Sequence, residues 1–542
     1  MKTADLLTAD KLRGGFYSPP GLVEACLDRV GALTRGRTGL RVLEPAAGDG
    51  AFIRGLATHE LASRAAHVTA VEPNAGEAGK CDSALVTAGF PGLVIAKSML
   101  NGARPLLDRY DVAVGNPPFV RFQFLTMEDR QGAAEVARES GVALGGVSNL
   151  WIPVFLSTLI RLVPGGVFAF IVPAECFTGI SARSVRTWLT RYVDDLRVDL
   201  FPPGSFPTVL QEVVVLSGQV TGSRSPGMAP ALKVVEHTGA GPVSWVHQLD
   251  ESTTTWTRYL LTPAQLSTLH EITSLPGFYR FSDVARLTVS TVTGANEYFS
   301  VDDRTLSKFG LEAWALPLLA RIRHAAGVVF NDQDHEALSG TEFVRWLLSF
   351  GPEQLDPESS ALCSQYLRDG ERQGLHRRYK CRIRMPWYRV PVVRPGRLLL
   401  SKRSHRYPRL VLNEARVVTT DTIYQGGMTA AFTNQDRDLV AGFHNTVTLL
   451  TAEMEGRSFG GGVLELVPTE IGRLTVPMIP GLGASLIDLD THVRTAGADS
   501  ESLIEKTDAL LARAVPALTA DALHDLRAAR TSLLQRRMDR TG

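Results

Sequence analysis

An acceptor side chain, two consecutive prolines and an aromatic ring stand together in Val114-Gly115-Asn116-Pro117-Pro118-Phe119. The prolines fix the backbone and remove two N–H donors, which leaves carbonyls free to accept. Asn116 adds a side-chain carbonyl and Phe119 a flat aromatic face. Two acceptors beside an aromatic plate suit an NH2 group on a planar ring. The plainer alternative is a rigid turn with a core phenylalanine. A second segment, Val42-Leu43-Glu44-Pro45-Ala46-Ala47-Gly48-Asp49-Gly50-Ala51-Phe52, reads as a strand entering a Gly-rich turn and then a helix. Small residues there let the backbone approach a ligand closely at the carboxyl end of the strand. Glu72 ends the next strand, 28 residues after Glu44, where a carboxylate can accept both hydroxyls of a ribose. The plainer alternative is an ordinary strand–turn–helix capped by Asp49. A third segment, Phe16-Tyr17-Ser18-Pro19-Pro20, is on its own only a turn before a helix.

Residues so far apart must be brought together by alternating elements. Short apolar runs bounded by Gly, Pro, Lys or acidic residues predict strands at 41–43, 67–71, 93–96, 111–114, 167–172, 196–200 and 213–216. Between the fourth and fifth, Leu150, Trp151, Val154, Phe155, Thr158, Leu159 and Leu162 recur at helical spacing before a Pro-Gly-Gly stop. The fold class expected is α/β, an open and mostly parallel sheet covered by helices. Residues 217–230 are rich in Gly, Ser and Pro and read as a linker or an exposed excursion. From about Trp245 to Ser500 the sequence looks irregular, with weak helical periodicity. A helical pair near 501–514 and 520–538 closes the chain.

The order F-Y-S-P-P, L-E-P-A-A-G-D-G, G-N-P-P-F resembles the gamma-class DNA adenine-N6 methyltransferases of the TaqI type. Further matches are N-L-W-I-P-V-F, L-V-P-G-G-V-F-A-F-I-V-P and F-P-T-V-L-Q-E-V-V-V-L. The resemblance covers residues 11–216 well and continues more loosely through the C-terminal half. It implies a Rossmann-like S-adenosylmethionine-dependent methyltransferase sheet followed by a mixed α+β target-recognition domain. It also assigns Tyr17, Ser18, Pro19, Glu44, Pro45, Ala46, Gly48, Glu72 and Asn116 to the S-adenosylmethionine pocket. The target adenine would be held by Asn116, Pro117 and Phe119, with Phe206 making a further contact to the flipped base. One departure stands out: where the family usually has an acidic residue facing the cofactor's adenine, this chain has Ala96-Lys97-Ser98. Either Ser98 or backbone groups would then make that contact.

The implied reaction explains the residue types. An adenine amino group spreads its lone pair into the ring and is a poor nucleophile. Accepting one N–H on the Asn116 oxygen and the other on the Pro117 carbonyl favours a pyramidal nitrogen. This is positioning and preorganised electrostatics without a strong general base. The amino group is inaccessible inside a duplex, so the base must be extruded.

Net charge is +1 overall, yet residues 366–416 carry fifteen Lys/Arg against Asp369, Glu371 and Glu414. Tyr379, Trp387, Tyr388 and Tyr407 are interleaved with them. Such a strip on a near-neutral protein is an electrostatic footprint for a polyanion, here double-stranded DNA; a solvated charged face is the plainer alternative. Cys381 to Tyr388 also resembles a segment common in the family's recognition half. Arg382, Arg384, Trp387, Tyr388, Lys402 and Arg403 are the candidate DNA contacts. Thr293-Gly294-Ala295-Asn296 looks like a turn between strands, of the kind that often opens the family's recognition domain.

With 542 residues, two or three domains are expected: a methyltransferase domain at 1–243, a recognition domain at 244–499 and a helical segment at 500–542. Five scattered cysteines without a C-x-x-C pair argue against a zinc ribbon or disulfide framework. The histidines show no metal-binding spacing, so no metal is expected. The start lacks a secretory apolar core and no stretch reads as a membrane span, so a cytoplasmic monomer is expected. Its role would be in a restriction-modification or related system, with any cognate restriction endonuclease on a separate chain. Two other readings remain: N-methylation of RNA bases or of a protein glutamine, and a catalytically inactive DNA-binding subunit.

Overall fold

The computed structural model describes residues 18–120, 124–143, 149–178, 182–202, 213–222, 230–250, 253, 255–351, 354–459, 461–497 and 500–538. Tyr17 and Phe206, both expected at the site, lie outside the described residues. The chain divides into two compact units, one ending at Pro263 and one running from Ala264 to Met538.

In the N-terminal unit, nine strands among the described residues form one sheet: β1 (Leu40–Glu44), β2 (Ala65–Val71), β3 (Gly92–Ile95), β4 (Tyr110–Gly115), β5 (Leu162–Pro173), β6 (Val193–Leu200), β7 (Val213–Val220), β8 (Ala231–Thr238) and β9 (Gly241–Gln248). Their order is β3-β2-β1-β4-β5-β7-β6-β8-β9. β3, β2, β1, β4 and β5 run parallel. β7 inserts antiparallel between β5 and β6.

Alternation along these strands sends successive side chains to opposite faces. Val42, Val112, Val114, Ala169 and Ile171 meet α1 (Pro20–Leu33), α2 (Ala51–Thr58) and α3 (Ala75–Ala88) on one face. Leu43, Ala113, Phe168, Phe170 and Val172 meet α4 (Met127–Ser140), α5 (Trp151–Leu159) and α6 (Arg183–Tyr192) on the other. Phe155 of α5 stands edge-on to Phe168 and Phe170, with ring centroids 5.6 and 5.2 Å away. The Gly-rich turn begins α2 at Gly50, whose φ is +87°; a Cβ there would meet Ala84 Cβ at 3.0 Å and Cys81 Cα at 3.2 Å, so glycine is what lets α2 start against α3. Asp49 makes no helix cap there and pairs instead with Arg54.

All seven expected strands are present, and the α/β class is as expected. Two expectations are corrected. Ser217 to Val220 is not linker but the second half of β7. The first unit also runs past residue 243, because β9 pairs along its length with β8, which is parallel to β6.

The C-terminal unit is α+β. Its largest sheet contains β10 (Ala285–Val289), β11 (Val329–Phe330), β12 (Leu398–Ser401), β13 (Leu410–Asn413) and β14 (Ile423–Met428), in the order β10-β14-β12-β13-β11. Helices are more numerous than the weak periodicity suggested; they include α7 (Ala361–Arg372), α8 (Tyr379–Arg382) and α9 (Thr446–Glu455). The closing pair, α10 (Glu501–Ala514) and α11 (Ala520–Met538), belongs to this unit and does not stand apart from it. Asp508 of α10 accepts both the amide and the hydroxyl of Thr446 at the start of α9. Arg537 of α11 forms a buried ion pair with Glu453.

His444, one residue before the α9 N-cap, accepts the Leu410 amide at 3.2 Å. Burial, and secondarily the nearby Arg409, push its pKa down to about 3. The folded protein therefore keeps this ring neutral while the unfolded chain protonates it. Its contribution is intact above about pH 6.5 and is lost as pH falls toward 3. Between pH 7 and pH 5 this one group should lower unfolding free energy by about 2 kcal/mol. Urea unfolding at the two pH values, in wild type and in His444→Gln, measures it: the variant should lose less on acidification. Equal losses would contradict this assignment.

Candidate active site at the carboxyl ends of β1, β2 and β4

Strand order reverses between β1 and β4, and in open parallel sheets ligands lie in the crevice outside the carboxyl ends at such a point. Glu44 ends β1, Glu72 directly follows β2, and Asn116 directly follows β4. Gly115, the last residue of β4, lies so close to the Glu44-Pro45 turn that a Cβ would meet Pro45 Cδ at 3.2 Å and Phe170 at 3.3 Å. The two motifs thus touch through a position that only glycine fills without displacement.

Glu72 is held by two backbone donors, Gly48 N at 3.0 Å and Asn74 N at 2.8 Å. Gly48 itself has φ +54° and open space where a Cβ would stand, leaving its backbone approachable. Glu44 is in a different state. It is buried, and its Oε2 has no hydrogen-bond partner. Burial, then the neighbouring Asp49, hold its pKa well above the ordinary carboxylate value; Glu72 adds to this and Arg54 opposes it. The same field reaches Cys81, whose thiol is pushed up to about 12 by burial and by Glu44, Glu72 and Asp49. A buried, unpartnered carboxyl in a negative pocket suits a cationic ligand.

The Asn116 amide is oriented by its Nδ2 donating to Ser18 Oγ at 3.2 Å. Its Oδ1 is buried and without a partner. Among the described residues nothing donates to the Pro117 carbonyl. Among the described residues the two expected acceptors are therefore both unengaged. Phe119 is half-buried and packs against the cores on both faces of the sheet. Pro19 lies beside Ser18 at the N-cap of α1, and Pro45 and Ala46 continue from Glu44. Glu44, at the end of β1, and Gly48, Glu72 and Asn116, in the loops that follow, therefore fall at the carboxyl ends of the strands.

At the expected departure, the Ser98 hydroxyl donates to Asp129 Oδ1 at 2.6 Å. A carboxylate thus stands beside the end of β3, supplied by α4. Sequence reading missed it because its partner lies 31 residues away.

The Ser18 hydroxyl fixes which end of the Asn116 amide is NH2 and which is oxygen; without it the amide can turn. Ser18→Ala should lower the single-turnover rate about five- to tenfold, the cost of one hydrogen bond, with Ser18→Thr restoring it. An unchanged rate in Ser18→Ala would remove this role.

In the C-terminal unit the expected contact residues separate. Arg384 is engaged internally: it donates to the carbonyls of Thr293 at 2.6 Å and Val292 at 2.7 Å. Trp387 is half-buried against Tyr298 and Phe299, and its indole donates to Glu371. Tyr388 packs edge-on against Phe350. All three are half-buried and engaged within the unit. Arg382 is exposed. Lys402 and Arg403 line a cavity of about 540 Å3 with Arg321, Arg323, His405 and Arg409, and Arg403 also pairs with Glu465. Buried Arg409 binds the carbonyls of Ile322, Ala325 and Gly327, fixing the loop that carries Arg321 and Arg323. Those two lie outside the basic strip, so charge counting did not find them. Among the described residues, no group of three His, Cys, Asp or Glu could hold a metal, and no helix is long and apolar enough to cross a membrane.

This sheet, with an acidic crevice and an Asn-Pro-Pro-Phe corner at its carboxyl end, defines a Rossmann-like methyltransferase whose cofactor is S-adenosylmethionine. The family model for the Eco57I restriction-modification methylase matches residues 105–200, and that for the C-terminal domain of the type II methyltransferase M.Eco57I matches 253–512. The chain is 20% identical over 390 residues to the type II methyltransferase M.AccI of Acinetobacter calcoaceticus, covering 68% of each chain. It is 22% identical over 491 residues to M.XamI of Xanthomonas campestris pv. amaranthicola, covering 87% of this chain and 86% of that one. Among solved structures, the type IIG restriction endonuclease BpuSI aligns with a TM-score of 0.44 at 14% identity. That alignment covers 97% of this chain, which spans 66% of the BpuSI chain. Both family models describe restriction-modification methyltransferases, and the chain is similar to type II methyltransferases over most of its length.

Proposed function

We propose that the protein methylates N6 of an adenine turned out of duplex DNA, as the modification enzyme of a cytoplasmic restriction-modification system. The observation that carries this is the pair of unengaged acceptors, Asn116 Oδ1 and the Pro117 carbonyl, on one rigid corner. When bound, S-adenosylmethionine supplies a methyl group on a positively charged sulfur, and the bond electrons leave with that sulfur. Asn116 and Pro117 accept the two N–H bonds of the amino group and favour a pyramidal nitrogen with its lone pair exposed. Neither group is a base of useful strength, so the released proton passes to water. Phe119 offers the planar contact for the extruded ring. Glu44 supplies negative charge for a cationic ligand, and the open space where a Gly48 Cβ would stand leaves room for a ligand to approach the turn.

The basic cavity of the C-terminal unit gives the polyanion its counter-charge, with Arg321, Arg323 and Lys402 as phosphate contacts. The protein would act as a monomer. No strand-borne Asp followed by Glu-x-Lys stands out as a nuclease centre in the sequence, which supports a restriction endonuclease on a separate chain.

Incubation with labelled S-adenosylmethionine and, separately, duplex DNA, RNA and a glutamine-containing peptide tests the reading. Nucleoside chromatography should place the label in N6-methyldeoxyadenosine. Label in methylated cytosine, RNA or peptide would overturn it.

A further inference from the structure

Three large apolar side chains stand out in the C-terminal unit within seven residues of each other. Tyr379 is 63%, Ile383 59% and Met385 89% exposed. They lie in a stretch, residues 372–413, with no acidic side chain. Lys380 Nζ and Arg382 Cζ sit 5.7 and 5.6 Å from the centre of the Tyr379 ring. Arg389 bonds the Met385 carbonyl at 3.5 Å.

The segment bearing these tips is firmly mounted. Cys381 is buried, with its thiol against the Thr293 carbonyl. The Arg384 guanidinium holds Val292 and Thr293. Gly294, at φ +84°, lies so close that a Cβ would meet Lys380 Cβ at 2.8 Å and Cys381 Sγ at 3.2 Å. The Thr293 hydroxyl donates to Asn296, whose amide donates to Asp421. Anchors and exposed tips alternate along one short segment: Cys381, Arg384 and Trp387 face inward, while Tyr379, Ile383 and Met385 face solvent. Isolated surface apolar residues are common, but three held out on one bonded frame, in a segment that also carries Lys380, Arg382 and Arg389, are a different arrangement. Apolar side chains flanked by Lys and Arg are the chemistry with which proteins enter between base pairs of a duplex. Arg378 pairs with Glu297 and Trp387 with Glu371, but Lys380, Arg382 and Arg389 take part in none of the described ion pairs, and that excess of positive charge points to a nucleic acid and not to an apolar protein face.

We propose that Ile383 and Met385 form a wedge that inserts between stacked base pairs of DNA, with Lys380, Arg382 and Arg389 holding phosphates on either side. This rests on the reading of duplex DNA as substrate. The wedge lowers the cost of opening the duplex by replacing lost base stacking with side-chain contact.

The test uses the full-length protein and duplexes carrying the motif that it methylates, with 2-aminopurine placed at each position in turn. Wild type should raise the fluorescence of at least one base step beyond the methylated position. Ile383→Ala combined with Met385→Ala should abolish that signal and weaken duplex binding about tenfold, while the slope of affinity against salt stays the same because phosphate contacts remain. A mismatch at the affected step, already unstacked, should restore most of the lost affinity. An unchanged fluorescence pattern in the variant, or a loss that the mismatch does not relieve, would overturn the wedge and indicate a surface for something other than stacked bases. If wild type methylates no duplex, the underlying reading fails instead; normal methylation with no wedge signal rejects the wedge alone.

Discussion

Asn116→Ala lowers the methyl-transfer rate about 10²–10³-fold while the affinity for S-adenosylmethionine changes by less than about twofold. The expectation follows from the state of the amide. Its NH2 end is bonded to Ser18 and its oxygen is buried without a partner. In the proposed site, truncation deletes one of the two acceptors assigned to the amino group. Single-turnover rates with saturating cofactor, beside cofactor affinity by calorimetry, separate the two effects. A variant that methylates within a few-fold of wild type would remove the proposed role of the Asn-Pro-Pro-Phe corner. A large loss of cofactor affinity would move Asn116 from holding the base to holding the cofactor.

Glu44→Gln weakens cofactor binding about 10- to 100-fold, the scale of one hydrogen bond to a charged group. It also makes the ligand-free protein more stable at neutral pH. Both signs come from the same feature. Glu44 is buried, lacks a partner on Oε2, and has a pKa raised by burial and by Asp49 and Glu72. A carboxyl whose folded pKa lies above its unfolded value contributes stability below about pH 4.5 that is lost as pH rises through the folded value. Glutamine removes that loss. A cation binds only the ionised form, so wild-type affinity should climb with pH through the Glu44 titration and the variant's should not. Thermal unfolding without ligand is a readout independent of activity. A destabilised Glu44→Gln, or equal pH profiles for the two proteins, would contradict this account.

β1, β4, β5 and β7 were legible because each is an apolar run buried along most of its length, whereas β3, exposed at Gly92 and Leu93, and β6, with Asp194, Asp195, Arg197 and Asp199, showed only short apolar runs. β8 and β9 were not legible, since they close the sheet's edge and carry Lys233, Glu236 and His237 on a half-solvated pattern. Ser217 and Gly218 read as linker because they are small, and they are buried in β7 between its neighbours, where a Cβ on Gly218 would meet Val193 of β6 and Phe168 of β5. Helix α9 escaped notice because Thr446 to Met454 are all buried, which erases the polar face that periodicity needs. At the site, motif order was enough to gather Ser18, Glu44, Glu72 and Asn116. What order could not give was which polar group engages which: Ser98 with Asp129, Asn116 with Ser18, Arg384 with two carbonyls. Charge counting likewise found Lys402 but not Arg321, which arrives through a loop pinned by Arg409.

That pinning divides labour between hidden frame and visible rim. The guanidinium of Arg409 holds three main-chain oxygens whatever side chains the loop displays, whereas Arg321, Arg323 and His405 project into water. Exchanges at such rim positions typically alter stability by less than about 0.5 kcal/mol. With Arg321 and Arg323 proposed as phosphate contacts, the strength of duplex binding and its salt dependence can therefore be adjusted there without refolding the domain.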